Sequence, residues 1–199
     1  RDFTGGLRMN WKLTTQDELQ LSYAFDQYDK SDYQRITHLD IRDYSNVQNT
    51  FRLLHNHSFN RGDVLTLGAD WMHDYLFNTN LNGEIREQDS WDVFAQYDWR
   101  INNQWEVVSA LRYDYFSDGK ESHLTPKLNI CYKPLHNLSL RAGYGMGFRA
   151  PTLKEKYYDF DMAGIWIVEG NANLKSETSH NFNLSAEYTR SRYNFTASV

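Results

Sequence analysis

The sequence predicts an all-β protein, namely a segment of an antiparallel transmembrane β-barrel with about ten strands. Three observations support this fold class. Ten segments alternate apolar and polar residues with a period of two, which is the pattern of a strand with one apolar face. The connections between the segments alternate between short and long. The aromatic residues gather toward the ends of the segments, and membrane barrels show all three features.

The first five segments lie between residues 3 and 99, and each places apolar residues at every second position. The third segment is the least regular, because His55 and His57 share its apolar face. The apolar positions are, in order, Leu7, Met9, Trp11 and Leu13; Leu19, Leu21, Tyr23 and Phe25; Phe51, Leu53 and Phe59; Leu65, Leu67, Ala69, Trp71 and Tyr75; and Trp91, Val93, Ala95, Tyr97 and Trp99. Segments of about 9–11 residues are long enough for tilted strands to cross a membrane.

The last five segments repeat the pattern up to the end of the sequence. Their apolar positions are Trp105, Val107, Leu111, Tyr113 and Tyr115; Leu124, Leu128, Ile130 and Tyr132; Leu138, Leu140, Ala142 and Tyr144; Phe182, Leu184, Ala186 and Tyr188; and Tyr193, Phe195, Ala197 and Val199. Charged residues such as Asp98, Arg112, Asp114 and Arg141 recur on the opposite faces, where a water-filled lumen would hydrate them. A soluble β-sandwich is the alternative fold, since its sheets also have one apolar face.

The connections predict that the two ends of the sheet differ. Tight turns are expected near residues 15, 62, 103, 136 and 190. Longer loops are expected at residues 29–46, 78–89 and 117–123, and in the central segment 143–178; the second of them contains the turn dipeptide Asn82-Gly83. All long loops therefore fall at one end, as in membrane barrels.

The composition excludes several other classes. The aromatic content is 16% although the mean hydropathy is −0.74, so apolar side chains are spread evenly among polar ones. A net charge of −5 argues against nucleic-acid binding, which needs a basic patch. The single Cys131 excludes an internal disulfide and a cysteine-rich metal site. The sequence has no run of about 18 apolar residues, so no transmembrane helix is predicted. No signal peptide is evident either.

The central segment carries two motifs. They are Phe148-Arg149-Ala150-Pro151, followed by Thr152-Leu153-Lys154-Glu155, and Asn171-Ala172-Asn173-Leu174-Lys175-Ser176-Glu177. The pair resembles the signatures of TonB-dependent outer-membrane receptors, especially those for haem, siderophores and cobalamin. Two features depart from that pattern. Ala172 and Ser176 stand where prolines are common, and no histidine lies between the motifs.

The resemblance implies a 22-stranded barrel of the bacterial outer membrane with an N-terminal plug inside it. Residues 1–199 would be part of its C-terminal barrel domain, without the plug. The implied function is TonB-dependent import of a scarce metal chelate (haem, a ferric siderophore or cobalamin), with no catalysis and no resident cofactor. The implied partners are the chelate, TonB acting through the N-terminal region, and membrane lipid, but no nucleic acid.

The candidate ligand-binding residues lie between the two motifs. Tyr157, Tyr158 and Trp166 could stack on a planar ligand, or they could belong to an interfacial aromatic belt. Tyrosine and methionine can ligate haem iron, so Tyr157, Tyr158 and Met162 keep haem open as a ligand. Arg149 could hold an anionic group, but a structural arginine paired to a carboxylate is the favoured interpretation.

Other clusters have a structural explanation at least as good as a functional one. His55 and His57 share a strand face but lack a third ligand, so no metal site is predicted. An acidic stretch could bind calcium, but it lacks ordered ligand spacing and is interpreted as a solvated loop; it comprises Asp29, Asp32, Asp40 and Asp43. Gly143, Gly145 and Gly147 alternate on the polar face and would let another backbone approach the wall closely.

Two rival functions remain at this point. A ten-stranded outer-membrane barrel enzyme would need a catalytic histidine at the loop end, where His38 and His123 are expected. No nucleophile motif accompanies either histidine. A soluble β-rich binding module is the second rival, and solubility without detergent would favour it.

Overall fold

The computed structural model describes residues 1–81, 85–161 and 164–199. Ten strands form one antiparallel sheet in the order β1-β2-β3-β4-β5-β6-β7-β8-β11-β12. Its strands are β1 (Asp2–Lys12), β2 (Asp17–Gln34), β3 (Leu39–Ser58), β4 (Val64–Asn78), β5 (Ile85–Arg100), β6 (Trp105–Phe116), β7 (Glu121–Leu135), β8 (Leu138–Arg149), β11 (Glu177–Arg190) and β12 (Tyr193–Ser198). The predicted all-β antiparallel sheet of ten strands is confirmed.

Between β8 and β11 the chain leaves this sheet. It forms the short helix α1 (Leu153–Tyr157) and a separate two-stranded sheet of β9 (Asp159–Asp161) and β10 (Ile167–Glu169). The long loop predicted over residues 143–178 thus contains a helix and a small sheet, and residues 143–149 and 177–178 belong to β8 and β11. A helix of five residues is too short to show the apolar periodicity by which helices are recognised.

The register of the sheet keeps all apolar positions on one face. Leu53 pairs with Ala69, Ala69 with Val93, Val93 with Tyr113, and Tyr113 with Leu124. Because paired residues point to the same side, this row and its neighbours form a continuous apolar face. Leu7, Trp91 and Phe182 on this face are 58%, 55% and 75% exposed, so the face is uncovered and needs an apolar surrounding.

The polar face is held together by ion pairs between adjacent strands. Arg52 on β3 donates to both carboxylate oxygens of Asp70 on β4, at 2.7 and 2.5 Å. Arg112 on β6 pairs with Asp92 on β5 at 3.0 Å and with Asp114 on its own strand at 2.8 Å. The carboxylates of Asp70 and Asp114 are largely buried. Pairing to arginine offsets the cost of placing several carboxylates side by side.

Aromatic rows mark the two borders of the apolar face. Trp71, Trp91 and Tyr115 lie in one cross-strand row, and Trp105 stacks on Tyr132 in a row near the opposite border, with ring centroids 4.2 Å apart. Trp105 and Tyr115 are ten positions apart on β6, or about 33 Å along a strand. A strand tilt of roughly 40° converts this to about 25 Å, which is the height of the apolar band of membrane barrels.

The strands continue beyond this band at one end, so the predicted long loops are shorter than expected. Most of the first predicted loop, 29–46, belongs to β2 and β3, which a turn at residues 35–38 connects, and residues 78 and 85–89 of the second belong to β4 and β5. The third prediction, 117–123, mostly holds, because residues 117–120 form a turn and residues 121–123 belong to β7. Outside the apolar band both faces of a hairpin are polar, so the alternation that identifies a strand disappears. Asn82 and Gly83 lie outside the described residues.

Among the connections that the structure describes, residues 150–176 form the long one. We refer to the end of the sheet that carries these residues as the loop end. The opposite, turn end carries the connections 13–16, 59–63, 101–104, 136–137 and 191–192. Among the described residues no helix is long and apolar enough to span a membrane.

Packing on the polar face depends on a glycine that leaves room for an aromatic ring. The ring of Phe94 on β5 lies over Gly68 on β4, and a Cβ atom at Gly68 would be 2.2 Å from the ring. Arg112 covers the same ring, with its guanidinium carbon 6.0 Å from the ring centroid. The ring thereby joins β4, β5 and β6.

We therefore expect Gly68→Ala to displace the Phe94 ring and to lower the free energy of unfolding by about 1–3 kcal/mol, as overpacking does. The midpoint of urea unfolding of the native protein in lipid vesicles measures the change. Gly145→Ala is the matched control, because the nearest atom to its added Cβ would be Lys127 Cγ at 3.9 Å. Equal midpoints for the two variants would show that the ring moves without cost.

Candidate ligand-binding loop

The base of the loop is closed by the residues of the two motifs. Arg149 ends β8 and pairs in register with Glu177, the first residue of β11. The Arg149 guanidinium forms ion pairs with Glu155 of α1 and, at 3.8 Å, with Glu177. Residues 150–176 therefore leave and rejoin the sheet at neighbouring points, and Arg149 joins the two strands to the helix between them.

A capping box starts α1. The Thr152 hydroxyl accepts from the Glu155 backbone N–H at 3.2 Å, and the Glu155 carboxylate accepts from the Thr152 N–H at 2.8 Å. Hydrogen bonds from the Thr152 N–H, the Arg149 guanidinium and the Thr152 hydroxyl lower the pKa of Glu155 from 4.5 to about 2. Glu155 is therefore ionised at neutral pH and links the helix start to Arg149.

An apolar contact docks the helix on the polar side of the sheet. Leu153, which is 2% exposed, packs with Leu76 of β4 and with Leu81, each 4% exposed. Leu76 shares the polar face with Asp70, because the two residues are an even number of positions apart on β4. The ring of Tyr44, near the start of β3, packs against the same cluster. These three leucines are the buried hydrophobic core of the described residues.

A buried ion pair fixes the other side of the helix. Lys156 is 4% exposed, and its Nζ donates to Asp118 Oδ2 at 2.9 Å. The hydroxyl of Tyr157 donates to Asp118 Oδ1 at 2.8 Å, and this bond raises the pKa of Tyr157. The guanidinium of Arg86 lies 4.4 Å from the centroid of the Tyr157 ring, within cation–π range. Asp118 thus receives two donors from α1, and this turn of the sheet holds the loop.

The second motif closes the loop from below. The backbone N–H of Asn171 donates to the Glu155 carbonyl at 3.1 Å. The Asn171 side chain accepts from the Asn173 N–H at 2.9 Å, and the Leu174 N–H donates to the Asn171 carbonyl at 3.0 Å. These bonds form the turn that leads into β11. The Ser176 hydroxyl then donates to Glu121 Oε2 of β7 at 2.5 Å.

The tip of the loop presents aromatic and aliphatic side chains to solvent. Tyr158 stacks on Phe160 with centroids 6.1 Å apart, and Phe160 meets Trp166 edge-on at 6.2 Å. Trp166 is 49% exposed, and its neighbours Ile165 and Ile167 are 79% and 61% exposed. The β9–β10 pairing supports this tip, so exposed apolar surface is displayed on a fixed base.

The candidate ligand-binding residues differ in whether their side chains are free to contact a ligand. Arg149 is committed to ion pairs, and the hydroxyl and ring face of Tyr157 are both occupied. Tyr158 contacts the leucine cluster, and its ring lies 4.9 Å from the Lys154 ammonium. Trp166 is the candidate that remains open to a ligand, while Met162 lies outside the described residues.

The remaining motif residues build the wall below the loop. Pairing between β7 and β8 stops at Lys127 and Gly145, beside Pro126, which has no backbone N–H. The ring of Phe148 stacks on His123 of β7 with centroids 4.3 Å apart. Phe148 therefore bridges the two strands where backbone hydrogen bonds end. Ala150 is half-buried, and Pro151 is buried next to the helix start.

Some loop residues were not among the candidates predicted from the sequence. Thr152 and Glu155 match the capping-box spacing, which was a usable signal. Phe160 adjoins Tyr158 in an aromatic-rich stretch and could have been included with it. Asp118 and Lys156 are 38 positions apart, and nothing in the sequence pattern links them.

The other sequence candidates are accounted for by local contacts. His55 and His57 both contact Asp17 Oδ1, at 3.1 and 2.7 Å. Among the described residues no group of three or more His, Cys, Asp and Glu side chains could hold a metal ion. Asp29, in the acidic stretch, accepts from the Ser45 hydroxyl at 2.6 Å and pairs with Arg42 at 3.4 Å.

The two histidines considered for catalysis do not meet a nucleophile. His38 Nδ1 is 3.0 Å from the Tyr33 hydroxyl. In the part of the chain that the structure describes, His123 Nε2 has no hydrogen-bond partner. The carboxylate oxygen Glu121 Oε2 lies 3.7 Å from it.

The fold and the loop define a transmembrane β-barrel wall that displays a fixed loop at one end. The chain belongs to the TonB-dependent receptor family, because the family model described as "TonB dependent receptor-like, beta-barrel" matches residues 1–199. The chain is accordingly a protein of the bacterial outer membrane. In such barrels the short turns face the periplasm and the loop end faces outside.

Known proteins agree with this assignment. The chain is 30% identical over 150 residues to the vitamin B12 transporter BtuB of Photobacterium profundum, and this match covers 74% of this chain and 22% of that protein. It is 30% identical over 132 residues to the iron-regulated outer membrane virulence protein of Vibrio cholerae, covering 63% of this chain and 20% of that protein. The chain thus spans about a fifth of the curated relatives that it matches.

Solved structures share the fold. The siderophore receptor PirA from Pseudomonas aeruginosa superposes with a TM-score of 0.69 at 20% identity, over 99% of this chain and 44% of that one. The siderophore receptor PiuA from Acinetobacter baumannii gives a TM-score of 0.70 at 13% identity, over 99% and 39%.

We expect Lys156→Met to release the loop, because it leaves the Asp118 carboxylate without its cation. Breaking a buried ion pair costs about 3–5 kcal/mol, which raises local opening by roughly a hundredfold or more. The rate of limited chymotrypsin cleavage between residues 150 and 176 in the native protein measures this opening. Lys154→Met, an exposed change in the same helix, should cleave like the wild type. Equal rates for both variants would refute the role of the ion pair.

Acid should also loosen the loop base. Because its pKa is lowered in the folded loop, Glu155 contributes stability above its ordinary pKa of 4.5, and this is lost as the pH falls toward 2. A nitroxide at Ile167→Cys, in a Cys131→Ser background, should gain mobility over this pH range. With Glu155→Gln the label should be mobile already at pH 7 and change little on acidification. Identical titrations for the two proteins would contradict the assignment.

Proposed function

We propose that this chain forms part of the barrel domain of a longer outer-membrane receptor that imports a metal chelate in a TonB-dependent manner. Names of relatives support this proposal: one is a vitamin B12 transporter and another, from Escherichia coli, a ferrienterobactin receptor. These names support cobalamin and a ferric siderophore as candidate cargoes. Haem remains a third candidate from the resemblance of the two motifs. TonB would act through a region outside residues 1–199.

The observation that carries the proposal is the fixed aromatic tip of the loop. Phe160 and Trp166 lie at the loop end of the barrel, and the side chain of Trp166 is half exposed. Exposed aromatic side chains on a rigid base give large contact area at a small entropic cost, as anchors of binding sites do. The ion pairs and the leucine cluster below the tip supply that rigidity.

The assignment of roles within the loop follows from which side chains are free. Trp166 and Phe160 would contact the chelate directly. Tyr157 and Arg149 would position the loop through Asp118 and Glu155. Tyr158, which contacts both the leucine cluster and Phe160, would connect the two groups.

We expect Trp166→Ala to weaken chelate binding at least about tenfold, because loss of a central aromatic anchor costs more than about 1.4 kcal/mol. Calorimetric titration of the purified native receptor with cyanocobalamin, ferric enterobactin and haemin measures the affinities. Trp91→Ala is the control, since Trp91 is similarly exposed but lies on the lipid-facing side. Unchanged affinity in Trp166→Ala for every chelate that the wild type binds would refute the role of the tip.

A further inference from the structure

The lipid-facing side of the wall contains a groove near the periplasmic end. It has a volume of about 550 Å³ and crosses β6, β7, β8, β11 and β12. Ala142, Ala186 and Ala197 form its floor, and Ala186 is paired with Leu140 on one side and with Ala197 on the other. The stacked rings of Trp105 and Tyr132 form one wall. Three small residues between large ones create the depression.

The groove continues along the strands toward the membrane centre. A second depression of about 270 Å³ shares Ala142 and Leu184 with the first and is bordered by Tyr144 and Phe182. These two rings are 4.9 Å apart at its border. From Ala186 to Phe182 the floor runs about 13 Å along β11. A narrow apolar groove parallel to the strands fits an extended hydrocarbon chain better than a compact group.

Positive charge lies at the periplasmic end of the groove. Arg190 lies four positions beyond Ala186 on β11, so the two residues share a face of the strand. Arg190 pairs in register with Tyr193 of β12. Arg192 lies in the turn that follows β11. Within the described chain no carboxylate is within ion-pairing distance of Arg190 or Arg192. Exposed cations beside an aromatic belt lie at the level of lipid headgroups.

We propose that this groove is a binding site for an anionic glycerophospholipid of the periplasmic leaflet. One acyl chain lies over Ala186 and Ala142, between the Trp105–Tyr132 stack and Leu184. The phosphate lies beside Arg190, where the attraction of anionic headgroups to basic residues adds to the apolar contact. The site is separate from chelate import, and it depends only on the location of the barrel in the outer membrane.

Native mass spectrometry of the complete receptor, extracted from outer membranes in mild detergent and delipidated, tests the site. The probes are phosphatidylglycerol, phosphatidylethanolamine and lipid A. We expect one phosphatidylglycerol to bind in preference to the other two. Ala186→Phe, which fills the groove, should weaken that binding at least about tenfold. Arg190→Ala should weaken it about fivefold and remove the preference over phosphatidylethanolamine.

Ala95→Phe is the matched control, because Ala95 lies on the same face of β5, away from the groove. It should bind phosphatidylglycerol like the wild type. Ala186→Leu replaces Ala186→Phe if the larger residue prevents folding. Equal binding of the two phospholipids, a preference for lipid A, or unchanged binding in the filled variant would overturn the proposal. A receptor dimer that dissociates in Ala186→Phe would also overturn it, since the groove would then be a protein interface.

Discussion

The structure depends on one constraint, which is that a backbone inside a membrane must satisfy its own hydrogen bonds. Here the strands between β1 and β12 do so by pairing with a neighbour on each side. The pairing register then decides which side chains face lipid. In the row that runs across five strands from Leu53 to Leu124, every side chain on one face is apolar or aromatic. Arginine–aspartate pairs occupy the opposite face. The wall therefore acts as a scaffold, and the candidate ligand-binding residues lie in the loop at one end of it.

The loop of residues 150–176 is the place where this scaffold becomes specific. Its anchors have different physical origins: a buried apolar contact at Leu153, a buried charge pair at Lys156 and a capping box at Glu155. Arg149 connects the helix to both strands at the base of the loop. The two sequence motifs therefore act mainly in positioning. The residues left free for a ligand, such as Trp166, lie between the motifs.

The sequence predicted the fold well because strand alternation survives wherever lipid lies on one side and water on the other. It failed at residues 29–46, where both faces of the β2–β3 hairpin are in water and the alternation is lost. The role of Tyr157 could not be predicted from the sequence either, since its partners Asp118 and Arg86 come from a distant turn and from the start of β5. The family motifs located the loop correctly but could not distinguish its structural aromatics from its exposed ones.

If the outer aromatic tip contacts the imported chelate, a cryo-electron microscopy structure of the native receptor in lipid nanodiscs with its bound chelate will show the contact. We expect ligand density in contact with the rings of Phe160 and Trp166, with the Lys156–Asp118 pair intact beneath them. Ligand density that contacts other loops only, with the tip directed away from it, would refute a binding role for the tip.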